Sequence, residues 1–162
     1  DVIVVGFSLG AALSAYLVAH KPAKALVLIG IPRWLMRQLF VKYMSPVYLA
    51  LGIRYYDETN NYFLKMLQED NLNSHIFPIR SVRQMLAFVG KEVVRYFRRI
   101  KIPTLIVQSG KDGVVSPVSA LSAYRQIRSP QKRLVWVGSQ HTDMPLDPEV
   151  RRVVCDFVIN FK

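Results

Sequence analysis

Apolar positions along the chain gather into four short, nearly continuous runs. These are Val2-Ile3-Val4-Val5, Ala25-Leu26-Val27-Leu28-Ile29-Gly30, Pro103-Thr104-Leu105-Ile106-Val107-Gln108 and Lys132-Arg133-Leu134-Val135-Trp136-Val137. A β-branched run without polar alternation is what a strand covered on both faces requires, and such strands belong to parallel sheets. Between the first two runs, Ala11 to Val18 is rich in small and apolar residues and reads as a helix. That helix should start after Ser8 and run to about His20, where Lys21-Pro22 stops it. A last helix is expected from about Asp147 to Phe161, with Pro148 and Glu149 in its first turn. Strands alternating with helices imply an α/β architecture with a parallel sheet and right-handed crossovers.

The stretch from Pro32 to Arg99 breaks this rhythm. It shows no strand signal and carries two thirds of the aromatics, among them Trp34, Phe40, Tyr43, Tyr48, Tyr55, Tyr56, Tyr62, Phe63, Phe77 and Phe88. It reads as several helices. No internal repeat or low-complexity segment interrupts the pattern.

At 162 residues, half of them apolar, the chain is one domain with enough material for a sizeable core. It has no run of eighteen apolar residues and therefore no expected membrane span. No secretory signal is visible, and a cytoplasmic setting fits. The lone Cys155 excludes an internal disulfide and, within Val153-Val154-Cys155-Asp156-Phe157-Val158, is expected to be a buried structural thiol. Net charge is +11 with a pI near 10, a balance compatible with nucleic acid or an anionic membrane surface. The charges are spread, however. Their densest cluster, Arg95-Tyr96-Phe97-Arg98-Arg99-Ile100-Lys101, is read first as a solvated helix end, with peripheral contact to anionic lipid as the alternative. No nucleic-acid-binding motif is present, and no nucleic acid is expected. Three scattered histidines and one cysteine give no metal-ligand spacing, and neither a phosphate-binding loop nor a dinucleotide fingerprint occurs. No metal or cofactor is expected.

The chemistry-bearing motif is Gly6-Phe7-Ser8-Leu9-Gly10, between the first strand and the first helix. A serine on so sharp a turn is forced into a strained backbone conformation, and its neighbours two residues either way must be small. Gly6 and Gly10 meet that need. The hydroxyl then projects from the sheet edge, and the Leu9 N–H points where an oxyanion would form. The plain alternative is a glycine-rich turn with a solvated serine. Placed between a buried strand and a small-residue helix, the motif resembles the nucleophile elbow of the α/β-hydrolase family.

A serine hydroxyl needs a base, usually a histidine held in one tautomer by a carboxylate. His20 ends the first helix beside Lys21-Pro22 and reads as a capping or surface residue; His75 lies in the aromatic stretch and reads as packing or surface. His141 follows the fourth strand through Gly138-Ser139-Gln140, at the end of the sheet where open α/β folds place their chemistry. It is the candidate base. Asp112, in Gln108-Ser109-Gly110-Lys111-Asp112-Gly113-Val114-Val115-Ser116-Pro117, resembles the family's acid loop, although an Asp-Gly turn alone would explain it. Ser8, Asp112 and His141 follow the family's chain order. Asp143 reads as a loop residue and Asp147 as a helix N-cap; Asp57, Glu58, Glu69 and Asp70 belong to the aromatic stretch.

The resemblance covers essentially the whole chain: elbow, second strand, cap, acid loop, histidine loop and last helix. It implies an α/β-hydrolase fold with its N-terminal strands missing. The core would be 1–31, bearing the elbow, and 100–162, bearing the acid and histidine loops; 32–99 would be a helical cap over the nucleophile. It departs from the family at the front. The family's first half adds strands beyond the elbow strand and a loop whose N–H completes the oxyanion hole. The chain opens on Asp1 directly before a core strand, and the expectation is a fragment of a protein of about 250 residues. Its first strand should then be an unpaired apolar edge.

The resemblance implies a serine hydrolase cleaving a carboxylic ester by a Ser8–His141–Asp112 triad and an acyl-enzyme, without a cofactor. The aromatic cap suits a small-molecule substrate with a hydrophobic acyl group. Thioesters, amides and some carbon–carbon bonds yield to the same parts. An acyltransferase with an alcohol in place of water, and a non-catalytic binding module on the same fold, stay open.

Overall fold

A computed structural model of the chain describes residues 2–36, 38–57 and 76–161. Four parallel strands form the central sheet: β1 (Ile3–Phe7), β2 (Ala25–Ile29), β5 (Thr104–Ser109) and β6 (Lys132–Val137), in the order β1-β2-β5-β6. Register runs Val5↔Val27, Val27↔Leu105 and Leu105↔Arg133 across the sheet. The two central strands are buried along their whole length, as their unbroken apolar runs predict.

Period-two alternation divides those strands between two cores. Leu26, Leu28 and Ile106 face α1 (Leu9–Val18) and α4 (Val118–Gln126), packing on Ala11, Ala12, Ala15, Ala120 and Ala123. Phe97 and Ile100 close that core. Val27, Ile29, Leu105 and Val107 point the other way, onto Met144 and onto Val150 and Val153 of α5 (Pro148–Ile159). Among the described residues β1 has one neighbour in the sheet, as expected of an edge strand, but it is not covered on both faces as its apolar run implied: Val5 is half exposed.

Small residues let α1 lie close to β1. A Cβ on Gly6 would meet Gly10 O and Ser14 Oγ, each at 2.4 Å. The steric demand at Gly6 is therefore real. The same demand was expected at Gly10, but a Cβ there meets nothing within 4 Å among the described residues.

Between β2 and β5 the chain forms α2 (Gln38–Ala50) and α3 (Ile79–Phe88), which continues through a π-helical turn (Val89–Val93) and two short helical turns to Arg99. This stretch also holds an antiparallel pair, β3 (Tyr55–Asp57) with β4 (Ile76–Pro78), where the sequence suggested no strands. At three residues each they are too short to show an alternation, although Tyr, Ile and Phe favour extended backbone. His75, Glu58, Glu69 and Asp70 lie outside the described residues.

Three further expectations meet the structure. Helix α1 ends at Val18, two residues before His20. Asp147 caps α5, accepting N–H bonds from Glu149 at 2.7 Å and Val150 at 3.4 Å, with Pro148 in the first turn. Cys155 is exposed, not buried. It lies two positions, about 200°, around α5 from the buried Val153.

Candidate active site

Ser8 occupies the sharp turn between β1 and α1 with φ 51° and ψ −123°, and is the one non-glycine residue at positive φ among the described residues. Such a conformation costs on the order of 1–3 kcal/mol and persists where surroundings dictate it. Here they do. Ser8 N–H donates to Ile29 O at 2.8 Å, and Ser8 O accepts from Ala11 N–H at 2.9 Å. As the first residue of α1, Leu9 has an N–H with no intrahelical acceptor, lying at the positive end of the helix dipole.

His141 is carried by the loop between β6 and α5 and is 3% exposed. Its Nε2 lies 3.0 Å from Ser8 Oγ and its Nδ1 lies 2.7 Å from Asp112 Oδ2. The ring packs at 5.0 Å from the Phe7 ring. Gly30, at φ 58°, backs it: a Cβ there would sit 3.1 Å from His141 Cε1 and 3.0 Å from Met144 Cε. Positive φ and missing side chain together leave the space that the imidazole occupies.

Asp112 is 4% exposed and holds four N–H contacts. Oδ1 accepts from Val114 and Val115 N–H, each at 2.8 Å. Oδ2 faces His141 Nδ1 and also accepts from Gln108 Nε2–H at 2.9 Å. A carboxylate so supplied on both oxygens is held in one orientation. The acid loop is fastened in turn to the segment leaving β2. Met36 N–H donates to Val114 O at 3.0 Å, Ser116 N–H to Trp34 O at 2.9 Å, and Trp34 N–H to Ser119 Oγ at 2.9 Å.

Ser8, His141 and Asp112, far apart in sequence, thus meet in one hydrogen-bonded line at the C-terminal ends of β1, β6 and β5. Other candidates stand apart from it. His20 is exposed, with Nδ1 2.7 Å from Tyr16 O and its ring stacked near Tyr16 and Tyr96. Asp143 is exposed and accepts from Thr142 Oγ1. The basic cluster is a helix end: Phe97 and Ile100 are buried, Arg98 and Arg99 are exposed, and Arg99 stacks 4.7 Å over Tyr96. Among the described residues no group of three His, Cys, Asp or Glu side chains could hold a metal ion, and no helix is long and apolar enough to cross a membrane. Sequence reading missed Gly30, Met144 and Gln108. The available signals were a glycine closing a buried strand and one amide at the end of an otherwise apolar run.

Solved structures share the fold at low sequence identity. The metagenome-derived lipolytic enzymes LipS and LipT supply one match, at TM-score 0.68 and 21% identity over 97% of this chain and 65% of that one. The monoacylglycerol lipase of Paleococcus ferrophilus matches at TM-score 0.76 and 14% identity, over 99% and 68%. A candidate non-heme bromoperoxidase, BpoC, from Mycobacterium tuberculosis H37Rv matches at TM-score 0.68 and 20% identity, over 99% and 67%. The chain thus spans about two thirds of the length of these structures. None of the curated proteins compared matches it. The sequence profile described as serine aminopeptidase, S33, matches residues 1–142. On that match, with the fold and the meeting of Ser8, His141 and Asp112 beside it, the chain belongs to the serine aminopeptidase S33 family of α/β-hydrolases.

Proposed function

We propose that the protein is a serine hydrolase that cleaves carboxylic esters with a hydrophobic acyl group through an acyl-enzyme. The observation that carries this reading is the line Ser8 Oγ–His141 Nε2–Asp112 Oδ2, with separations of 3.0 and 2.7 Å. In the order the chemistry demands, His141 Nε2 takes the hydroxyl proton as Ser8 Oγ bonds to the ester carbonyl carbon. The carbonyl oxygen becomes an oxyanion, and Leu9 N–H at the start of α1 donates to it. Asp112 stabilises the imidazolium through Nδ1–H without itself taking the proton. Collapse of the tetrahedral species breaks the carbonyl–alkoxy bond, and the Nε2 proton leaves with the alcohol. Water then repeats the sequence on the acyl-enzyme and frees Ser8.

An apolar acyl group is supported by the surroundings. Leu9, Trp34, Met36 and Leu146 all leave the C-terminal ends of β1, β2 and β6, and all are exposed. Exposed apolar side chains on the segments that leave this end of the sheet favour an apolar ligand. The cap role proposed for 32–99 fits Trp34 and Met36, which start that stretch and are tied to the acid loop.

Hydrolysis of p-nitrophenyl esters of increasing chain length tests the reading. The expected result is turnover that rises from acetate toward medium chains and disappears in Ser8→Ala. Turnover that survives Ser8→Ala, or none on any ester or thioester, overturns it.

A further inference from the structure

Gln108 is fully buried at the end of β5, where Leu105, Ile106 and Val107 precede it. Its amide is only half satisfied. Nε2–H donates to Asp112 Oδ2 at 2.9 Å, with a longer 3.4 Å contact to Ser109 O, while Oε1 is buried with no donor among the described residues. A buried orphan carbonyl costs stability, and an apolar side chain of the same size would not carry that cost. Amide orientation follows from the network: the opposite flip would set Oε1 against the Asp112 carboxylate.

The oxygen that Gln108 reaches is the one His141 uses. Asp112 Oδ2 is divided between the Gln108 amide and His141 Nδ1–H, whereas Oδ1 is occupied by the Val114 and Val115 N–H groups. Each donor on a carboxylate oxygen draws charge from it and weakens its hold on the next. We propose that Gln108 is a positioning residue that acts through Asp112. By sharing Oδ2 it limits how firmly Asp112 holds His141 Nδ1–H. This rests on the hydrolase reading for its catalytic meaning, but the coupling itself is a property of the three side chains. Loss of the Gln108 amide leaves the carboxylate fixed, because both bonds to Oδ1 come from backbone. What changes is the charge available on Oδ2. Of the side chains hydrogen-bonded to or ring-packed on His141 among the described residues, Asp112 alone is charged. Ser8 comes from the β1–α1 turn and Phe7 is the last residue of β1, while Gly30, just past β2, backs the ring.

The test is Gln108→Met, with Gln108→Leu as a second variant, in the full-length polypeptide that carries this sequence. Three readouts are taken: the His141 titration by NMR, the pH profile of kcat/KM on a p-nitrophenyl ester, and the melting temperature. Expected are a His141 midpoint and an ascending limb displaced to higher pH. Neutral-pH activity should fall roughly three- to tenfold, since one pH unit is a factor of ten in protonation. The alkaline plateau should be nearly kept and the melting temperature undiminished. An unmoved His141 titration overturns the proposal. So does a melting temperature lowered in both variants, or failure of both to fold, because either outcome makes Gln108 merely structural. Ser8→Ala runs alongside. Ester turnover persisting in it defeats the hydrolase reading, and the NMR titration still decides the role of Gln108.

Discussion

Gly30→Ala separates a fault of chemistry from a fault of folding. The added methyl would lie 3.1 Å from His141 Cε1, 3.4 Å from His141 Nδ1 and 3.0 Å from Met144 Cε. Relaxed carbon contacts are about 3.5–4.0 Å, so the imidazole must retreat by roughly half an ångström. The methionine is the end of a flexible side chain and can yield. The histidine cannot retreat without disturbing its 3.0 Å contact with Ser8 Oγ or its 2.7 Å contact with Asp112. Displacement of a reacting group by about 1 Å can cost on the order of 10²-fold, so half of it should cost at least about tenfold in kcat. The left-handed backbone at φ 58° adds a stability loss of about 1–2 kcal/mol for a non-glycine residue. Gly6→Ala provides the contrast. Its methyl would lie 2.4 Å from the backbone oxygen of Gly10, in a helix pinned to the sheet, and should cost about 3 kcal/mol or more of stability. Thermal melts and steady-state kinetics on both variants give the comparison. Gly30→Ala should keep most of its stability and lose most of its turnover, whereas Gly6→Ala should melt markedly lower. Wild-type kcat in a folded Gly30→Ala protein would refute the reasoning.

Two other outcomes follow from the same contacts. In Asp112→Asn, the amide oxygen can keep the Val114 and Val115 N–H bonds, which turns its NH₂ toward His141 Nδ1 and favours the wrong tautomer; kcat should fall about 10³–10⁴-fold with little change in melting temperature, checked by kinetics and calorimetry. The Asp147 carboxyl is held below its ordinary range, first by the N–H of Glu149. Its stabilising effect is therefore present above the unfolded-state value and lost as pH falls through the folded one. Asp147→Ala should lower the melting temperature at pH 7 and lose that difference in acid, as melts across the pH range would show.

Much of this fold is legible in the sequence because its two central strands, β2 and β5, are buried on both faces. Such strands write themselves as continuous apolar runs; β6, though only partly buried, also begins and ends where the segment Lys132–Val137 does. The Ser8 turn and the two loops are legible for a different reason: each follows a strand, and strand ends define where chemistry can sit. What escaped reading depends on contacts between distant segments. Gly30 looks like an ordinary strand terminator until His141 is placed against it. Gln108 looks like the last residue of a strand until Asp112 folds back four positions to meet it. Cys155 was misplaced because an apolar local sequence does not reveal which side of α5 faces the sheet.

Labelling with a fluorophosphonate, followed by mass spectrometry of the modified peptide, tests the central claim most directly. The reagent bonds only to a serine whose proton a neighbouring base removes. The account predicts a single adduct on Ser8 in the full-length polypeptide, abolished by His141→Ala. An unlabelled Ser8, or labelling that persists without His141, would contradict it.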